Sequence, residues 1–277
     1  MFNFDYSYLK LPNKFYSITN SNTLPKPEKV IINKNLCNTL NLPINSNKDL
    51  FNFLFDKKKA NKSFSQAYAG HQFGSFTKLG DGRAIILGEY IIENKQRFDI
   101  QLKGSGRTPY SRGGDGKATL KAMLREYLIS EAMYHLNIPS SRSLTVIKTG
   151  EQIHRQSVNE GAILARLMKS HIRVGTFEYA YFYCEKNSLN KLTSYTINRL
   201  YPEINQHENP PLSLLEKVMK NQIDLVVDWM RVGFIHGVMN TDNTSISGET
   251  FDYGPCAFMN SFNPETTYSS IDYNKRY

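Results

Sequence analysis

The chain has 277 residues, of which 40% are apolar, and it carries a formal net charge of +9 with a pI near 9.3. This length and apolar content place it among soluble globular proteins, with enough core for one large domain or two lobes. Three widely spaced cysteines, Cys37, Cys184 and Cys256, predict neither a disulfide framework nor a zinc site, and they favour a reducing compartment.

The positive charge suits polyanionic partners, which include nucleotide phosphates and nucleic acid. The lysines are scattered among asparagines, so solubility is the favoured explanation of the charge. Nucleic acid ranks last among the partners, because no aromatic-rich RNA motif or recognition-helix signature is present. Neither a secretory signal nor an apolar run of about 18 residues is found, which predicts a cytoplasmic protein without a membrane partner.

In chain order, residues 1–60 are rich in Asn, Lys and Pro and predict a wrapping extension with one helix. Residues 84–92 and 97–103 predict two strands joined as a hairpin. In the second strand apolar and polar residues alternate, which places Lys103 on the side opposite to Leu102.

A glycine-rich loop at 104–117 follows, and the remaining pattern runs from strands to helices. The expected elements are a helix at 119–135, strands at 143–148 and 162–168, and a helix at 213–236 that begins with a capping box of Ser213 and Glu216 and stops at Gly237. We therefore predict an α+β, protein-kinase-like two-lobed fold. Its parts are the extension (1–60), an N-lobe with the nucleotide-binding glycine-rich loop (61–175) and a partial helical C-lobe with the metal and catalytic loop (176–277).

The stretch from His236 to Gly254 carries the strongest chemical signal. Protein kinases use H-R-D-x-x-x-x-N followed by D-F-G, in which the Asn and the second Asp hold magnesium. Here Asn243 keeps the kinase spacing from His236, and Asp252 opens the D-Y-G triplet. Val238 stands at the place of the catalytic Asp and cannot accept a proton, whereas Asp242 offers a carboxylate nearby. The pattern predicts a retained metal site with an altered reaction.

The glycine-rich loop matches neither G-x-G-x-x-G, because Pro109 interrupts it, nor the Walker A motif. Backbone N–H groups of such a loop can bind phosphate oxygens, and a plain surface turn is an equally weighted interpretation. Lys103 before the loop and Glu126 on the next helix resemble the kinase pair that holds phosphates. An exposed lysine and a surface glutamate are the other interpretation.

Two arginines, Arg166 and Arg173, lie seven residues apart. One interpretation is that their side chains bind phosphate oxygens in a bidentate manner. A salt bridge between the lobes is the other. His71 is a lone histidine that we interpret as structural rather than catalytic.

Six segments together resemble one known family, the selenoprotein O family: AGHQFG (69–74), LGDGRA (79–84), QLKGSGRTPYSRGGDGKATL (101–120), REYLISEAM (125–133), HGVMNTDN (236–243) and DYGP (252–255). This resemblance implies a kinase-like fold that transfers AMP from ATP to Ser, Thr or Tyr hydroxyls of proteins, with ATP bound in a reversed orientation. Reversal presents the α-phosphate to the acceptor, which fits a base displaced to Asp242. A phosphotransferase that uses Asp242 and a non-catalytic nucleotide-binding remnant are the alternatives.

The resemblance also implies the roles of individual residues. Nucleotide contacts fall to Gly80, Gly82, Arg83, Lys103 with its partner Glu126, Asp115, Gly116, Arg166, Arg173 and Asp252; the metal ligands for Mg²⁺ or Mn²⁺ are Asn243 and Asp252, and the base is Asp242. The family continues beyond the length of this chain. The expectation is an incomplete helical lobe with little activity of its own, with a separately encoded C-terminal fragment as a partner.

Overall fold

A computed structural model describes residues 4–56, 61–72, 74–268, 272, 274 and 275. Helices and strands are mixed, as the predicted α+β class requires. The chain forms two compact units. The first comprises Met1–Ala67, Gly80–Glu131 and Ser141–Lys169, and the second comprises Tyr68–Leu79, Ala132–Ser140 and Ser170–Tyr277.

This division differs from the one predicted from the sequence. Residues before 60 belong to the first unit, and three short segments of the predicted N-lobe, 68–79, 132–140 and 170–175, belong to the second. Among the described residues up to 56, two α-helices occur where the sequence predicted one. Within the described part of the chain, no helix is long and apolar enough to span a membrane.

Antiparallel pairing builds the main sheet, which has nine strands among the described residues. The strands are β1 (Tyr16–Ile18), β2 (Glu28–Ile32), β3 (Phe64–Gln72), β4 (Ser75–Gly80), β5 (Ala84–Ile91), β6 (Arg97–Lys103), β7 (Ala118–Thr119), β8 (Arg142–His154) and β9 (Val158–Met168). Their order is β1-β3-β5-β6-β9-β8-β2, with β4 on β3 and β7 on β9. A separate two-stranded sheet joins β10 (Phe234–Ile235) to β11 (Ala257–Phe258).

Six α-helices complete the described residues: α1 (Lys34–Thr39), α2 (Asn47–Phe55), α3 (Leu120–His135), α4 (Val174–Tyr183), α5 (Lys186–Leu200) and α6 (Pro210–Arg231). The predicted hairpin is confirmed, since β5 and β6 end within one residue of the expected bounds and pair from Ala84↔Lys103 onward. The predicted helix at 119–135 is confirmed as α3.

Both faces of the first unit's sheet are covered. On one face Leu50 and Phe53 of α2 pack with Ile100 and Leu102 of β6. On the other face Met123 of α3 packs in a second cluster that includes strand residues of β8 and β9. The polar residues that alternate with the apolar ones of β6, Lys103 among them, are therefore buried as well.

The long helix α6 begins and ends earlier than the sequence predicted. Its N-cap is Asn209, whose side chain accepts from the Leu212 N–H at 3.3 Å, so the predicted capping box at Ser213 is wrong. Two prolines at the first helical positions explain the earlier start, because their fixed φ suits the first turn. The predicted stop at Gly237 is also wrong: the helix ends at Arg231, and Gly233 adopts the left-handed φ of +68° that ends helices.

Replacing Asn209 with alanine should lower the free energy of unfolding by about 1 kcal/mol, because the helix loses its capping acceptor. Urea denaturation measures the change as a lower midpoint at an unchanged slope. Ser213→Ala is the matched control, since Ser213 lies inside the helix and its hydroxyl is hydrogen-bonded to the exposed His207 ring. A larger loss at Ser213 than at Asn209 would contradict the observed helix start.

Candidate active site

In the first unit, Lys103 and Glu126 form a buried ion pair. Lys103 ends β6 and Glu126 lies in the second turn of α3, and their Nζ and Oε1 atoms are 2.7 Å apart. The side chains are only 5% and 4% exposed. The interpretation as an exposed lysine beside a surface glutamate is therefore wrong. A buried lysine held by one carboxylate is arranged as in the phosphate-binding pair of kinases.

Arg166 joins this pair from the neighbouring strand. It lies opposite Gln101 in the β6–β9 register, and its Nε donates to Gln101 Oε1 at 2.8 Å. Its Nη1 is 3.6 Å from Glu126 Oε2, and the side chain is 2% exposed. Gln101 and Glu126 both belong to the first unit, as Arg166 does. Two cations thus share the Glu126 carboxylate inside one unit.

The glycine-rich loop closes on itself at its base. Ser105 and Lys117 form an isolated β-bridge, and the Gly106 N–H donates to the Gly116 carbonyl at 3.1 Å. Gly116 has a φ of +68°, and a Cβ there would run into the backbone of Gly106. The glycine is required both by its conformation and by this close approach.

Asp115 holds the same loop from the surface. Arg155 donates to both of its carboxylate oxygens, at 2.8 and 2.9 Å, and the Lys117 N–H donates to it at 3.0 Å. The hydrogen bonds from Arg155 are the largest cause that holds the pKa of the Asp115 carboxyl below its usual value, and the bond from Lys117 N–H adds to it, despite partial burial. Lys117 itself is paired with Glu151 at 2.7 Å. Asp115 and Gly116 therefore shape the loop, and nucleotide contact by them stays a prediction.

The turn from Gly80 to Arg83 packs against this loop. Added Cβ atoms on Gly80 and Gly82 would both collide with Tyr110 of the loop. Asp81 is buried, and its Oδ2 accepts from the Gln66 N–H at 3.0 Å, while Arg83 is exposed. Contacts of Gly80, Gly82 and Arg83 with a nucleotide stay predictions.

In the second unit, the predicted catalytic loop is fixed by its histidine. His236 Nε2 donates to the Phe251 carbonyl at 2.9 Å, and the ring stacks on Trp229 at 5.6 Å. Asn243 donates its side-chain N–H to the Val238 carbonyl at 3.0 Å. With its amide nitrogen engaged in this way, the side-chain oxygen of Asn243 is the atom that could bind a metal.

Arg173 contacts both Asp242 and Asp252. Its Nη1 donates to the backbone carbonyl of Asp242 at 2.6 Å and lies 3.5 Å from Asp252 Oδ2. The guanidinium lies over the rings of Tyr68 and Phe251, at 4.1 and 4.7 Å from their centroids. Arg173 is thus held within the second unit, with a cation–π contact on each ring.

Asp242 is itself almost enclosed. The residue is 6% exposed, and burial raises the pKa of its carboxyl, an effect that the charge of Arg173 opposes. Gln72 donates its side-chain N–H to Oδ2 at 3.3 Å. Among the described residues Oδ1 has no hydrogen-bond partner. A buried carboxylate oxygen without a partner lowers stability, and such groups are found at functional sites.

Asp252 adopts a left-handed backbone conformation, with a φ of +63°. Its carboxylate and the Asn243 amide supply the oxygen donors that Mg²⁺ and Mn²⁺ prefer. No group of three or more His, Cys, Asp or Glu that could hold a metal occurs among the described residues. This donor set still fits the kinase pattern, in which phosphate oxygens complete the coordination.

A strand lysine paired with a helix glutamate, and an Asn and an Asp in a histidine-anchored loop, match the residue pattern of protein kinases, with Val238 at the place of the catalytic Asp. The family model described as "Protein adenylyltransferase SelO" matches residues 1–277, and the chain belongs to that family. Among its relatives, "Protein nucleotidyltransferase YdiU" of Pelagibacter ubique is 53% identical over 99% of this chain and 58% of its own length.

The proteins of the same name in Clostridium botulinum (strain Alaska E43) and Brevibacillus brevis are also 53% identical, over 99% of this chain and 57% of their own lengths. The chain thus spans a little over half of these relatives. A solved structure titled "ROP2 from Toxoplasma gondii: A virulence factor with a protein-kinase fold and no enzymatic activity" overlaps 70% of this chain and 55% of its own at 8% identity. Its TM-score of 0.31 is too low to support an argument.

Among the residues that sequence reasoning missed, three contact Arg166 or Asp242. Gln101 holds Arg166, while Gln72 and Gly70 contact Asp242. Gly70 and Gln72 lie in the segment AGHQFG, which carried part of the family resemblance without a role of its own. His71, in the same segment, is half-exposed and lies 3.5 Å from Glu178.

Proposed function

We propose that the protein transfers AMP from ATP to Ser, Thr or Tyr hydroxyls of other proteins. Membership of the SelO family and the nucleotidyltransferase names of its relatives support this reaction. The observation that carries it is the pair of positions in the catalytic loop: Val238 replaces the kinase base, and Asp242 is buried, with Arg173 donating to its backbone carbonyl. A base in this displaced position suits attack on the α-phosphorus.

In this reaction Lys103 and Arg166 bind phosphate oxygens, and Glu126 holds both cations in place. Asp242 accepts the proton of the acceptor hydroxyl while the hydroxyl oxygen forms a bond to the α-phosphorus. The bond between the α-phosphorus and the bridging oxygen breaks, and pyrophosphate leaves with its electrons. Arg173 stabilises the negative charge of the phosphate chain. Asn243 and Asp252 would hold Mg²⁺ or Mn²⁺, which supplies further charge neutralisation when bound.

ATP labelled separately at the α- and γ-phosphates distinguishes this function from its alternatives. We expect the acceptor protein to retain the α-label and to gain the mass of one AMP. Transfer of the γ-label alone would replace the proposal with a phosphotransferase. Binding of ATP without transfer of either label would favour the nucleotide-binding remnant. The Asp242→Ala variant serves as the blank, because it lacks the proposed base and retains the proposed phosphate ligands.

A further inference from the structure

The carboxylate of Asp242 is packed against strand β3. A Cβ built on Gly70 would lie 2.6 Å from Asp242 Oδ1 and 2.9 Å from both Cβ and Cγ of Asp242. The φ of Gly70 is not in the left-handed region, so the backbone alone does not require a glycine there. The close approach of Asp242 explains the glycine, since any larger side chain would displace the carboxylate.

Gln72 contacts the other oxygen of the same carboxylate. Its side-chain N–H donates to Asp242 Oδ2 at 3.3 Å. Gly70 and Gln72 are two residues apart on one strand, so they point to the same face. Successive positions on this face therefore contact Oδ1 and Oδ2, respectively.

The catalytic loop is tied to this strand by the two residues just before Asp242. The His71 N–H donates to Asn240 Oδ1 at 3.1 Å. Thr241 Oγ1 donates to Glu178 Oε2 at 2.6 Å, and Glu178 Oε1 is 3.5 Å from His71 Nδ1. These contacts fix the residues just before Asp242 relative to β3, so the position of its side chain depends on the strand.

We propose that Gly70 and Gln72 are positioning residues, which together fix the rotation of the Asp242 carboxylate. Gly70 encloses Oδ1 and Gln72 orients Oδ2, so Oδ2 is the oxygen that accepts the proton of the acceptor hydroxyl. The inference rests on the proposed role of Asp242 as the base. The AGHQFG segment would then act by positioning the base, without itself contacting ATP.

Gln72→Met tests this role, because methionine keeps the volume of glutamine but cannot donate to the carboxylate. A displacement of about 1 Å can lower a catalytic rate by about 100-fold, so we expect kcat for AMP transfer to fall roughly 10- to 100-fold. The KM for ATP should stay within about twofold, since Gln72 acts through the base in this scheme. Gln152→Met, at an exposed strand glutamine of the first unit, is the matched control and should change neither constant. An unchanged kcat in Gln72→Met would overturn the proposal.

A double-mutant cycle separates positioning from a general structural role. In the Asp242→Ala background, Gln72→Met should have no further effect on the slow residual transfer measured by mass spectrometry. The same loss in both backgrounds would overturn the positioning role. Full activity of Asp242→Ala itself would instead remove the base assignment, which is a different failure. Gly70→Ala should lower kcat at least as much as Gln72→Met, with its melting temperature recorded to separate misfolding from displacement.

Discussion

Replacing Glu126 with alanine is expected to lower the free energy of unfolding by about 3 to 5 kcal/mol, which is a large part of a typical domain's stability. The reason is the burial of its two partners. Lys103 and Arg166 are both nearly inaccessible to water, and the variant takes from both the carboxylate that compensates their charge. ATP binding should weaken as well, because Lys103 and Arg166 lose the carboxylate that holds them in place.

Urea denaturation with and without the substitution measures this loss. Glu151→Ala is the matched control, because Glu151 pairs with Lys117 at the same 2.7 Å distance but with side chains about a quarter exposed. Its pair should contribute at most about 1 kcal/mol. Equal losses in the two variants would show that burial of the Glu126 cluster adds no stability beyond that of a surface pair.

Replacing Asp252 with asparagine should lower AMP transfer by at least about 100-fold while the protein stays folded. Loss of even an indirect metal contact costs roughly 10- to 100-fold, and Asp252 is proposed as a direct ligand. Asparagine keeps the size of aspartate and is among the residues that tolerate the left-handed φ of +63°. The expected loss therefore reflects the missing charge on the carboxylate and not a strained backbone.

Calorimetry with ATP at increasing Mg²⁺ or Mn²⁺ checks the cause of that loss. In the unmodified protein the metal should strengthen ATP binding, and in Asp252→Asn this dependence should disappear. Asp252→Ala should add a loss of stability of about 1 kcal/mol, because alanine disfavours the left-handed conformation. Retention of the full metal dependence in Asp252→Asn would remove Asp252 from the metal site.

Local sequence patterns were sufficient for the elements that place Lys103 and Glu126. Alternation in β6 and helical spacing in α3 depend on nearby residues only, and both elements appear close to their predicted bounds. The burial of the pair was not predictable in this way. It results from α3 covering the face of the sheet on which Lys103 lies. The alternation of residues along a strand does not predict which element packs on its polar face.

The contacts of Asp242 lay beyond local patterns for a related reason. Gln72 and Asp242 are 170 positions apart in the chain, and no periodicity connects residues at that distance. The start of α6 was missed because the capping box at Ser213 is a common pattern, and Asn209 followed by two prolines is an equally good one. The helix begins at the first of these two patterns along the chain, the one at Asn209.

The left-handed backbone at Asp252 limits which residues can replace it during evolution. Its φ of +63° favours glycine, asparagine and aspartate, and its proposed role as a metal ligand requires the charge of the carboxylate. Only aspartate satisfies both demands. A lineage that abandons the chemistry but keeps the fold is free to replace it, and the residues open to it without strain are asparagine and glycine. Such a replacement, in an otherwise intact loop, would mark a member of the family that has become a binding protein.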